Sequence, residues 1–264
     1  MIRLRGPGRL IGADKMSEGK PANSAGADAG RFTTTHWSVV LAAGDSGSPQ
    51  HELALSTLCQ TYWFPLYAYL RRRGYDTHQA QDYTQEFFAG LLERRGLGRA
   101  DPKCGKFRSF LLVSLKNFLS DQWDRARAAK RGGDRKVLSL DVDAAESRYG
   151  REPAHDLSPE KLFERSWALT VLGQAMERLK AESAAPDKQR LFECLKGCLA
   201  AQTDAISYKD AAAQLDMTEG AAKVAVHRLR RRYRELVRDQ IAQTVATQEQ
   251  VDEEIADLFA ALSL

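Results

Sequence analysis

The stretch 206–238, ISYKDAAAQLDMTEGAAKVAVHRLRRRYRELVR, constrains the chain most, because it reads as two helices closed around a tight turn. Ser207, with Asp210 three residues on, resembles a capping box, in which side chain and backbone satisfy each other's orphan groups at a helix start. Ala211, Ala212 and Leu215 give this first helix its apolar face. Asp216 and Met217 make the turn, and Thr218 is an N-cap for the second helix. On that helix Ala222, Val226, Leu229, Tyr233 and Leu236 recur at helical spacing and form a core-facing stripe. Lys223, His227, Arg230 and Arg234 lie beside the stripe, and Arg228, Arg231 and Arg232 widen the basic surface. From 218 to 238 there are seven Lys or Arg against two Glu. A cationic helix held behind a short turn can reach phosphates and base edges in a major groove, so this end is expected to bind DNA. The bland reading of the same residues is an arginine-rich solvated helix that pairs with acidic neighbours.

The remainder of the chain reads as helical too. Helix formers dominate its 264 residues, and no alternating β-branched run suggests a sheet. The net charge is only +4, but its uneven distribution matters more than its total for binding nucleic acid. No run approaches the ~20 apolar residues that would span a membrane, and Arg3, Arg5 and Arg9 precede no apolar segment of the kind a secretory signal needs. Four cysteines without a dense framework suit a reducing cytoplasm. Cys194 and Cys198 sit four apart, yet two thiols do not make a four-ligand zinc site. No cofactor motif, metal site or nucleophile–base pair is evident, so no enzyme is expected.

Residues 1–31 are expected to be a disordered extension rich in Gly, Ala, Ser and Arg, or an over-long translation start with Met16 as the alternative. A first helical domain is expected over 32–132. It opens on TTTHWSVVL, where Trp37 and Val40 can pack on the next helix. That helix, over 51–73, should be kinked or divided by Pro65, and Gly74 ends it. Asp76 and Gln79 cap another helix, whose Ala80, Tyr83, Phe87 and Leu91 point one way while Asp82, Gln85, Glu86 and Glu93 form a polar flank. A loop over 95–105 leads to a long helix from Lys106 to about Lys130. Between 103 and 135 nine Lys or Arg stand against three Asp, interleaved with aromatics. That mixture suits single-stranded DNA, whose bases stack on rings while its backbone follows the charge. Most of the aromatics are equally expected to be core, with Phe107 and Trp123 the ambivalent ones.

Gly132 and Gly133 stop the long helix, and 133–158, punctuated by Pro153, reads as a linker. A second helical domain covers 159–243; Phe163, Trp167, Val171, Leu172, Met176 and Leu179 carry its first helix, and the helix-turn-helix closes it. The tail, 244–264, changes sign: from 239 onward there is no Lys or Arg but six Asp or Glu. Val251, Ile255, Leu258 and Leu262 make it an amphipathic helix, expected to dock on its own domain, to mask the basic reader beside it or to recruit a regulator.

The segments AQDYTQEFFAGLLE (80–93) and KFRSFLLVSLKNFLSDQWDRARAAKR (106–131), followed by the helix-turn-helix, resemble bacterial RNA polymerase sigma factors. The likeness is to the extracytoplasmic-function group, which keeps only regions two and four. The resemblance covers about 50–131 and 160–240. It implies an all-α protein of two small helical domains joined by a flexible linker, working as a dissociable transcription-initiation subunit in the cytoplasm. It further implies that Asp82, Gln85 and Glu86 dock on core RNA polymerase. Lys106, Phe107, Arg108, Lys116 and Asn117 would melt and capture the minus-ten strand of promoter DNA, and Lys223, His227, Arg228 and Arg230 would read the minus-thirty-five duplex. An anti-sigma factor or another regulator is a further partner the resemblance allows. The family usually carries Gly where Asp216 stands, and polar residues where Val224 and Ala225 stand. The alternative function is a helix-turn-helix regulator that binds duplex DNA and never docks on the polymerase.

Overall fold

The computed structural model describes residues 37–45, 47–93, 97, 106–128, 141–151, 157–199 and 206–263. The expected extension 1–31, the loop thiol Cys104, the glycines 132 and 133 and much of the expected linker lie outside the described residues. Among the described residues there are ten α-helices and no strand. In chain order they are α1 (Ser38–Gly44), α2 (His51–Arg72), α3 (Thr77–Glu93), α4 (Phe107–Ala128), α5 (Val142–Tyr149), α6 (Pro159–Glu182), α7 (Pro186–Leu195), α8 (Tyr208–Leu215), α9 (Glu219–Ala242) and α10 (Gln248–Leu262).

Several helix starts follow from their local sequence. The backbone N–H of Gln79 donates to Asp76 Oδ1 at 2.8 Å and that of Asp76 to Gln79 Oε1 at 3.2 Å, the reciprocal pairing that opens α3. Ser158 caps α6, with Pro159 in the first turn where a missing N–H costs nothing. Thr247 and Gln250 form a full capping box at the start of α10. Pro65 does not divide α2, which continues through it to Arg72. The proline is buried, as are all its neighbours from Phe64 to Leu70.

Those seven consecutive buried positions explain the architecture. A helix that is apolar all round must be covered on every side. Helices α1, α3 and α4 cover part of α2, and α6 covers the rest; α9 and α10 then pack on α6 and on each other. The sequence predicts two domains joined by a flexible linker, whereas the described residues fall in one compact unit with a main core shared by α1–α7, α9 and α10. Within the expected linker lies α5. Its Ala145 is buried, and its Glu146 takes a two-pronged bond from Arg71 of α2, Nε to Oε1 at 2.7 Å and Nη2 to Oε2 at 3.2 Å. The Tyr67 hydroxyl donates to the same carboxylate. Arg148 of α5 lies 3.8 Å over the Phe64 ring and donates to the Ser166 carbonyl at 3.2 Å and to Thr170 Oγ1 at 2.9 Å, so the short helix bridges α2 and α6. A small satellite core of Leu195, Cys198, Ala211 and Val226 joins α7, α8 and the front of α9.

Candidate nucleic-acid interface

The polar flank of α3 takes shape as expected from its spacing. Asp82 is exposed and Gln85 and Glu86 half-exposed, three and four residues on and therefore on one side of the helix. The opposite side is core, with Ala80, Thr84, Phe87, Phe88 and Leu91 buried.

Phe107 and Trp123, both on α4, part company. Phe107 is 1 % exposed, edge-on to Tyr62 at 5.4 Å and to Trp37 at 5.8 Å and stacked on Phe110 at 5.9 Å. It is a core ring and presents no face to a base, which corrects its place among the expected strand contacts. The apolar environment that Trp37, Tyr62 and Leu111 supply cannot be read from the alternation of cations and rings along α4. Trp123 is 68 % exposed. Lys116 and Asn117 lie on an exposed side of α4.

The three expected strand-binding cations of this region all meet carboxylates from distant helices. Lys106, just before α4, pairs with Asp257 of α10 and lies 3.4 Å from Glu254. Arg108 is 5 % exposed; its Nε faces both oxygens of Glu254 at 3.0 and 2.9 Å, its Nη2 reaches Asp257 at 2.6 Å and its Nη1 pairs with Glu164 of α6. The guanidinium also lies 4.7 Å over the Trp167 ring. Lys116 bonds Glu160, one turn from Glu164 on α6, at 2.8 Å. Burial alone would raise the Asp257 carboxyl, but Lys106 and Arg108 outweigh it and hold the group below the usual carboxylate range. The hydrogen bond between Lys116 and Glu160 pushes the amine up and the carboxyl down.

Helices α8 and α9 are joined by the turn the sequence expects. The backbone N–H of Asp210 donates to Ser207 Oγ at 3.1 Å, and the Ser207 hydroxyl donates to Asp210 Oδ2 at 2.7 Å. Asp216 ends α8 at φ 53°, a left-handed conformation that aspartate tolerates better than most residues, and its N–H caps the Ala212 carbonyl. Thr218 then caps α9 by accepting from the Ala221 N–H at 3.2 Å. On α9 the expected duplex contacts divide. Lys223, His227 and Arg228 are exposed. Lys223 bonds Glu219 one turn earlier at 2.7 Å, which raises its pKa. Arg230 turns inward, and its Nε and Nη2 donate to the Cys198 carbonyl at 3.1 and 2.7 Å, holding the short 3-10 turn Lys196–Cys198 against α9. Arg232 bonds Glu182 at the end of α6 at 2.7 and 2.8 Å.

Residues 60–129 match the family model for sigma-70 region 2. Over those residues the chain carries a sigma-70 region 2 domain. The matched sigma-70 region 2 begins inside α2, includes all of α3 and α4, and thus contains both the polar flank and the cations now facing α6 and α10. No curated protein and no solved structure matches the chain. A sigma-70 region 2 implies promoter recognition and binding to RNA polymerase, and the family is not an enzyme family. Among the described residues no group of three or more His, Cys, Asp or Glu could hold a metal ion, and no helix is long and apolar enough to cross a membrane.

The residues the sequence did not single out are the four carboxylates Glu160, Glu164, Glu254 and Asp257. One of them carries a local signal. Glu254 stands at the stripe spacing of Val251 and Leu258, and is itself 2 % exposed. An acid inside an apolar stripe calls for a buried cation opposite, because an unpaired buried charge is costly. Nothing in the sequence says that the cation is Arg108.

Proposed function

We propose that the protein is a sigma subunit that docks on core RNA polymerase and selects promoters, built of a region 2 and a region 4-like α8–α9 pair in the manner of the extracytoplasmic-function group. The observation that carries this reading is the sigma-70 region 2 match over α2–α4, a module that an ordinary DNA-binding regulator does not need. In this reading Asp82, Gln85 and Glu86 meet the polymerase. Lys106, Arg108, Lys116 and Asn117 hold the non-template strand around the minus-ten element, with Trp123 as the exposed ring on the same helix. Cations track the phosphates while the Asn117 amide both donates to and accepts from a base edge. Lys223, His227 and Arg228 face the minus-thirty-five duplex. The site of action is the cytoplasm, where the polymerase is.

Asp82→Ala combined with Glu86→Ala is expected to abolish co-elution with core RNA polymerase while leaving duplex binding by α9 intact. Normal co-elution of that variant removes the docking assignment. If the unaltered chain itself fails to co-elute, the second reading stands, a regulator that binds duplex DNA through α9 alone.

On α9 the two cations Lys223 and Arg230 should separate. Lys223→Ala is expected to weaken binding to a promoter duplex and flatten its dependence on log salt by about one unit, with an unchanged melting temperature. Arg230→Ala should instead lower stability first, by about 1–2 kcal/mol, because it leaves the Cys198 carbonyl without its two donors. Equal losses of affinity at equal stability would return Arg230 to the DNA face.

A further inference from the structure

We propose that α10 is an internal competitor for the DNA strand. Its Glu254 and Asp257, with Glu164 and Glu160 of α6, occupy the Lys106–Arg108–Lys116 strip of region 2 and keep it from single-stranded DNA until α10 is lifted away. This rests on the reading of that strip as the strand site.

The geometry is specific. Each of the three cations is bonded to a carboxylate from outside the sigma-70 region 2 segment, from α6 or α10. Glu254 and Asp257 are three apart and so project from one side of α10. They present acceptor oxygens to the side chains that would otherwise hold phosphate oxygens, and carboxylate and phosphate satisfy lysine and arginine by the same charge-assisted bonds. The helix is held in place by apolar contact as well: Val251, Leu258 and Ala261 are buried in the main core. One acid of the helix does not share this placement. Asp252 pairs at 2.7 Å with Arg238 of α9, away from the strip. The mask therefore falls on these three cations of region 2 and leaves Lys223, His227 and Arg228 of α9 exposed, so duplex contact and strand capture are controlled separately.

The test uses the full chain and a fluorescently labelled, random-sequence single-stranded DNA of about twenty nucleotides, long enough for one cationic groove. Asp257→Asn, a half-exposed position tolerant of change, and Glu254→Gln with Asp257→Asn are both compared with Asp252→Asn, which removes one negative charge elsewhere on α10. Expected is a gain in affinity on the order of tenfold for the double variant and a smaller gain for Asp257→Asn. The log–log salt dependence should steepen by about 0.7 for each cation released. Adding Lys106→Ala should cut the gain back. An equal gain from Asp252→Asn would reduce the effect to net charge and overturn the proposal, as would a gain that Lys106→Ala leaves undiminished. If neither released variant gains but Lys106→Ala weakens the otherwise unaltered chain, the strand site stands and the masking falls. If none of these changes alters binding, the strand site itself falls and the masking with it.

Discussion

Arg108→Ala is expected to lower the stability of the chain by about 3 kcal/mol. Removing one partner of a buried ion pair costs about 3–5 kcal/mol, since the other charge stays buried and uncompensated. Here Glu254 would keep Lys106 at 3.4 Å, which places the expectation at the lower end. The stacking of the guanidinium over Trp167 is lost as well. The cause can be separated from simple loss of volume. Arg108→Met with Glu254→Leu replaces the charged pair by apolar groups in an apolar stripe and should recover most of the loss, as such replacements commonly do. Urea denaturation of the single and double variants measures both. A single variant as stable as the unaltered chain would mean that α10 and α4 are not held together in solution, and would take the masking proposal with it.

Phe107→Ala should cost about as much, in the range of about 3–5 kcal/mol for truncating a fully buried phenylalanine. The ring is enclosed by Trp37, Tyr62 and Phe110, so its removal leaves a cavity among large rigid neighbours that cannot easily collapse into it. The opposite expectation holds if the ring stacks on a base: stability is unchanged and binding of single-stranded DNA falls. Thermal unfolding with a parallel anisotropy titration tells them apart. Trp123→Ala supplies the contrast, since an exposed ring contributes little to the fold.

These two residues also show where the sequence stops being legible. Phe107 and Arg108 are adjacent to Lys106 in a cation-and-ring pattern, and that pattern fits DNA contact as well as it fits a core edge with an ion pair. Choosing between them depends on what stands opposite. For Phe107 it is Trp37, just ahead of α1; for Arg108 it is Glu254, far along the chain. The all-α class, the start of α3 at Asp76 and Gln79, the α8–α9 turn at Asp216 and the cap at Thr218 were legible because their causes lie within a few residues. Hydrogen bonds to orphan amides and a 3.6-residue apolar period are local properties of the chain.

The sequence alone therefore determined the all-α class, the helix starts at Asp76, Ser207 and Thr218 and the turn at Asp216, the polar side of α3 and the basic side of α9, and the resemblance to the sigma factors whose region 2 matches residues 60–129. Tertiary structure decided that α2 is covered by α6, that α5 stands within the expected linker, that Arg230 serves a carbonyl, and that the acidic α10 faces region 2 as well as α9. The physical reason is that amphipathic patterns state that a face must be buried, or a charge neutralised, but not by which partner. That choice is made only when α2, apolar on all sides, needs more cover than its sequence neighbours provide, and when a buried Glu254 must find its arginine.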